Sequence, residues 1–169
     1  MTALNFPPRT PGSTGRRIVV GVDGSAASMQ ALAWVRDSLL EPSDQLCVVT
    51  AYQLPLYGAE VPVNAMDPAE IELTARTTAQ EAIRSVFGSE EPSGGLVHVV
   101  EIGSIDSLID RHESGAAFVV LGSRSRRRIS ERLRSSATNR ITGRTRCPVI
   151  SVPESDDSTP AGRTTEIET

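Results

Sequence analysis

The chain has 169 residues, a net charge of -4 and 38% hydrophobic residues, which suits one domain able to bury a core of its own. No apolar run approaches the roughly 20 residues that cross a bilayer, and Met1 to Gly15 is rich in Pro, Thr and Gly without the apolar block of a secretory leader, so a cytoplasmic location is expected. The two cysteines, Cys47 and Cys147, stand in apolar, strand-like surroundings, which suits buried reduced thiols better than a disulfide framework or a metal cluster.

Arg16 to Asp23 is a short β-branched run ending on a turn signal, and Ser25 to Leu40 then carries Met29, Leu32, Ala33, Val35 and Leu39 at helical spacing. Gln45 to Tyr52 reads as a second strand and Gln53 to Met66, broken by two prolines and a glycine, as a long loop. Pro68 opens a helix running to about Phe87, where Gly88 stops it. Leu96 to Ile102 gives a third strand, Ser104 to Glu113 a short helix, Ala117 to Leu121 a fourth strand, Ser136 to Arg144 a helix and Pro148 to Val152 a last strand. The ends, 1–15 and 154–169, are rich in Pro, Ser, Thr and Gly and are expected to be disordered, which leaves one domain over 16–153.

Strands alternating with helices predict an α/β fold with a parallel sheet covered on both faces, because each parallel step needs a crossover of a dozen or more residues. In such sheets ligands sit beyond the carboxyl ends of the strands, where strand order reverses. Val22-Asp23-Gly24-Ser25 and Gly122-Ser123-Arg124-Ser125 both lie at strand carboxyl ends and are expected to face one crevice. Val119 to Ser125, followed by Ser135-Ser136-Ala137-Thr138, reads as a buried strand, a small-residue loop and the start of a helix. Backbone N–H groups and serine hydroxyls can converge there on a phosphate.

Other chemistries find little support. Lysine is absent, so there is no phosphate loop of the Gly-Lys-Ser/Thr kind. His98 and His112 have no partner at ligand spacing. Trp34 falls on the apolar face of the first helix. Arg124 to Arg146 holds nine of the seventeen arginines; Arg124, Arg126, Arg127 and Arg128 suit either a triphosphate or a solvated basic loop. Only six aromatic residues exist in the chain, too few for a stacking platform, so nucleic acid is not an expected partner.

Taken together, Ile18-Val19-Val20-Gly21-Val22-Asp23-Gly24-Ser25 with Ala31-Leu32 and Trp34, Gly103 opening the third helix, Val119-Val120-Leu121-Gly122-Ser123 and Arg146-Cys147-Pro148-Val149-Ile150-Ser151-Val152-Pro153 resemble the universal stress protein family. The resemblance implies a five-stranded parallel sheet with helices on both faces and a homodimer formed through the last strand, Val149, Ile150, Ser151 and Val152. Some members bind ATP and others do not. In ATP-binding members the signature is Gly, two residues, Gly, nine residues, Gly, then Ser or Thr. Gly122 matches its first position and Ser136 its hydroxyl, while Ser125 and Ser135 replace the second and third glycines. A Cβ there costs about 1 to 2 kcal/mol where the left-handed region is required. The resemblance implies that Asp23 reaches ribose and phosphates, and that Ala51 meets adenine through its backbone. Read from the residues alone, Asp23 equally suits a turn cap and Ser135 a helix cap.

The expected function is a dimeric regulatory module, not a dedicated enzyme, holding an adenine nucleotide, ATP with Mg²⁺ on its phosphates, at Val22, Asp23, Ala51, Gly122, Ser123, Arg124, Ser125, Ser135, Ser136, Ala137 and Thr138, with at most weak ATP hydrolysis and no catalytic residues. The alternative is a relative that binds no ATP and acts as a protein interaction module, and in either case the protein partner is unidentified. A related ATP pyrophosphatase-like ligase is disfavoured, because Val22 to Ser28 lacks the paired serine and glycine that begin its loop.

Overall fold

Five strands, β1 (Arg17–Gly21), β2 (Gln45–Tyr52), β3 (Leu96–Ile102), β4 (Phe118–Ser123) and β5 (Val149–Pro153), pair in parallel in the order β3-β2-β1-β4-β5. Among the described residues the α-helices α1 (Ala26–Trp34), α2 (Pro68–Phe87) and α3 (Ile105–His112) cover this sheet. The computed structural model describes residues 15–54, 67–88, 92–123, 141 and 143–154. None of the helices among the described residues is long and apolar enough to cross a membrane.

Side-chain alternation along the central strands builds two cores. Ile18, Val20, Leu46, Val48 and Val120 face α1 and α2, where Ala31, Leu32, Ala82 and Val86 meet them. Val19, Cys47, Val49, Val119 and Leu121 face the other way, against Leu108 and Ile109 of α3 and against Ile141. Trp34 packs, partly buried, against the first core. The helices begin where the sequence supplies caps: Ser25 accepts from Ser28 N, Asp67 from Ala69 N and Ser104 from Ser107 N. Gly88, at φ 66°, closes α2 in a conformation that favours glycine.

At the amino ends of β1 and β2 an ion pair between the partly exposed Arg16 and the buried Asp44 knots the chain. Asp44, 1% exposed, accepts from Arg16 N at 2.8 Å, Arg16 Nη2 at 2.6 Å and Glu41 N at 3.0 Å. Burial pushes the Asp44 carboxyl up, but these donors outweigh it and hold the group below its usual range.

Three expectations change. The first helix does not run regularly to Leu40; it widens after Trp34 into a π-helical turn, Val35–Leu39, closed by Leu40 N donating to Val35 O at 2.9 Å. Val35 stays fully buried, and Leu39 and Leu40 pack against the first core. The fourth strand extends past Leu121, because β5 offers partners to Gly122 and Ser123, which pair with Val152 and Pro153; both are strand residues, not loop. Cys47 is fully buried, but Cys147 is only partly so, since its Sγ turns toward Glu113 Oε2 at 3.6 Å. The expected disorder of the ends, most of the loop after Leu54 and most of the helix expected over Ser136 to Arg144 fall outside the described residues.

Candidate functional site

From β1, at the centre of the sheet, the chain passes to α1 on one face, whereas Ile141, beyond β4, is buried on the other. In a parallel sheet a crevice is expected at the carboxyl edge where helices lie on opposite faces. A cavity of about 330 Å³ opens there, at the lower end of the roughly 300 to 1,000 Å³ usual for small-molecule sites. Its walls come from four strand ends: Val22 and Asp23 after β1, Ala51 and Gln53 from β2, Gly103, Ser104 and Ile105 after β3, and Leu121 and Gly122 from β4.

Asp23 is held in place by its neighbours. Its Oδ1 accepts from Ser25 N at 3.0 Å and from Ser25 Oγ at 2.6 Å, and its backbone N donates to Ser28 Oγ at 3.3 Å. Ser28 Oγ donates in turn to Ser25 O at 3.0 Å. Burial raises the Asp23 pKa, but the hydrogen bonds from Ser25 and Ser28 outweigh it, so the group ionises more readily than an ordinary aspartic acid. It is the only ionisable side chain among the described residues that line the cavity. Oδ2 is the oxygen that Ser25 does not hold.

Ala51 contributes backbone. Val22 N donates to Val49 O at 2.9 Å, whereas Gly103 N donates to Tyr52 O at 2.9 Å. Polar groups of a strand alternate sides, so the N–H and C=O of Ala51 point, like those of Val49, toward β1, beyond Gly21 where that strand has ended. They face the crevice.

Gly122 lines the cavity, and its lack of a Cβ has a packing cause. A Cβ would lie 2.3 Å from the carbonyl carbon and oxygen of Ala27 and 2.6 Å from Ser28 N, so the first turn of α1 rests directly on this strand. Ser123 is turned away, its hydroxyl donating to Val152 O at 3.5 Å, and it does not line the cavity. Arg124, Ser125, Ser135, Ser136, Ala137 and Thr138 lie outside the described residues.

Sequence reasoning brought Val22, Asp23, Ala51 and Gly122 to one place and missed Ser28, Gln53, Ser104 and Ile105. One signal was available. Gly-Ser follows β1 as Gly24-Ser25 and follows β3 as Gly103-Ser104, each serine capping the next helix, so two helix starts open onto the same edge. Among the described residues no three His, Cys, Asp or Glu side chains are gathered for a metal.

Comparison with solved structures finds the same fold. A universal stress protein family protein from Burkholderia pseudomallei is 18% identical, with 85% of this chain and 99% of that chain covered at a TM-score of 0.58. A family protein from Arabidopsis thaliana with AMP bound is 14% identical, with 86% and 96% covered at 0.57. A universal stress protein in complex with cAMP is 19% identical, with 83% and 98% covered at 0.57. No curated protein matches the chain. Residues 15–153 match the universal stress protein family, and with the strand order and helices described above the chain belongs to that family.

Proposed function

We propose that this universal stress protein is a cytoplasmic regulatory module that binds an adenine nucleotide in the crevice and works as a homodimer. One observation carries the reading: an ionised, pre-positioned carboxylate at Asp23 and the inward-facing backbone of Ala51 border a single cavity, one suited to sugar hydroxyls and the other to the edge of a base. Related folds hold AMP and cAMP. The residues suit such a ligand: a backbone edge offers a donor and an acceptor to a base, and Asp23 Oδ2, which Ser25 does not hold, an acceptor to a sugar hydroxyl. ATP would bring Mg²⁺ with it on phosphate oxygens, Asp23 being the one carboxylate the described lining offers. No described lining residue pairs a nucleophile with a histidine base, so chemistry beyond slow hydrolysis has no support.

The dimer is proposed through β5, an edge strand whose outer side has no partner among the described residues and whose Ser151 and Pro153 are exposed. That same edge favours the second reading, a protein interaction module without nucleotide.

Titration calorimetry and thermal shift with ATP, AMP and cAMP, each with Mg²⁺, separate the two readings. Binding that weakens by about tenfold in Asp23→Asn, with unchanged circular dichroism, supports the nucleotide reading. No heat and no stabilisation at millimolar ligand overturns it.

A further inference from the structure

Where β3 passes into α3, three side chains tie the end of the helix back to the strand. Glu101 Oε1 lies 2.8 Å from His112 Nε2, and Glu101 Oε2 accepts from Arg111 Nη1 at 2.8 Å. His112 is 5% exposed. Between the tied ends lies the turn Gly103-Ser104-Ile105, which forms one wall of the crevice. Gly103 adopts φ 141°, and a Cβ there would sit 3.2 Å from Leu108 Cδ1 and 3.7 Å from Arg111 Nη2, so the returning helix closes over the turn. A helix of 8 residues does not hold itself in place. Its anchors are the buried Leu108 and Ile109 and this charged cluster.

The titratable and charged groups around His112 come from each element packed there. Glu101 faces it from β3, Arg17 from β1 and Arg111 from its own helix. From β2 the Cys47 thiol lies beyond Arg17, whose Nη2 is 3.9 Å from Sγ. On the far side of α3, Asp110 is engaged by Arg144 and Glu113 by Arg146 N.

We infer that the Glu101–His112 bond is a proton-sensitive strut that positions the Gly103–Ile105 wall, so that ligand binding in the crevice weakens as the pH falls. The inference rests on the nucleotide reading above. Burial pushes the His112 pKa below the ordinary histidine value, against the pull of Glu101. Docked α3 therefore holds a neutral imidazole donating through Nε2. A histidine that protonates more readily when released than when docked favours release in acid: the strut has full strength above the ordinary value of about 6.5 and loses it progressively as pH falls below that.

The probe is cAMP, because its phosphodiester does not titrate over this range and Asp23 stays ionised through it. Affinity measured at pH 7.5 and 5.5 is expected to fall about threefold to tenfold in the wild-type chain. In His112→Gln, whose amide can still donate to Glu101, affinity is expected to be independent of pH. Amide hydrogen exchange over 103–112 in the ligand-free chain, corrected for intrinsic rates, should accelerate at pH 5.5 in the wild type only. Should His112→Gln not fold, Glu101→Gln serves instead: loss of the carboxylate lowers the docked His112 pKa further, so the loss of affinity still begins at about pH 6.5 but is larger at pH 5.5 than in the wild type. Exchange and affinity that respond to pH equally in wild type and variant overturn the strut, as does an exchange response with no change in affinity. Absence of cAMP binding at pH 7.5, beside a normal exchange response, overturns the nucleotide reading and the coupling with it, but not the proton response of α3.

Discussion

Replacing Gly122 by alanine tests the claim that this residue is glycine because α1 rests on β4. The added Cβ would meet the Ala27 carbonyl at 2.3 Å, whereas ordinary contact begins near 3.4 Å, so the two elements must separate by about 1 Å. The opposing atoms are backbone in the first turn of a helix, and no rotamer change relieves them. Overpacking of this kind costs about 2 to 3 kcal/mol, which in a domain of this size lowers Tm by roughly 5 to 10 °C. Gly21→Ala is the internal comparison. Its Cβ meets Leu121 Cδ2 at 2.6 Å, the far end of a flexible side chain, and Ile105 Cδ1 at 3.3 Å, so a loss of about 1 kcal/mol or less is expected. Urea unfolding of both variants, with ΔG extrapolated to water, decides the matter. The shift in α1 would also move Ser25 and Ser28, which hold Asp23, so nucleotide affinity should fall in Gly122→Ala alongside stability. A Gly122→Ala chain within about 0.5 kcal/mol of wild type, or less destabilised than Gly21→Ala, would refute the packing argument.

Asp44→Ala should lose about 2 to 3 kcal/mol, because it leaves Arg16 N and Glu41 N without their acceptor while the partly exposed Arg16 guanidinium can return to water. Because the Asp44 pKa is held below its unfolded value, this contribution is fully present above about pH 3.9 and is lost as pH falls through the folded value; the gap in denaturation midpoint between wild type and variant should therefore be narrower at pH 3 than at pH 7. Sedimentation at micromolar concentration should show a dimer, and Ser151→Glu, which sets two like charges near a two-fold axis, should shift it toward monomer. A wild-type chain that sediments as a monomer would remove the proposed β5 interface.

The element order was readable because each strand is β-branched and each helix carries its own punctuation: Ser25, Asp67 and Ser104 as caps, Gly88 as a stop. What escaped depended on partners distant in sequence. The extra length of β4 comes from pairing with β5, which no local window around Gly122 contains. The widened turn after Trp34 leaves no trace in apolar spacing, since Val35 and Leu39 satisfy a regular helix equally well. In the crevice, Asp23 and Ala51 stand at strand ends that hydrophobic patterning locates. Ser28 is buried inside a helix and Gln53 follows a strand as an ordinary polar residue, and neither type at such a position signals a ligand. Gly122 was found for one reason, a signature of phosphate loops, and the structure supplies another, the approach of a helix.

The knot between Arg16 and Asp44 and the mouth of the crevice occupy opposite margins of the sheet. The 8 residues of β2 that separate them span roughly 25 Å, three times the distance over which salt lets charges feel one another at about 8 Å. Charge changes at the crevice are thereby screened from the ion pair at the far margin. Polar and charged residues at the mouth can therefore be exchanged without loosening the rivet at the far margin, whereas Gly122, on which α1 rests, is not open to the same exchange.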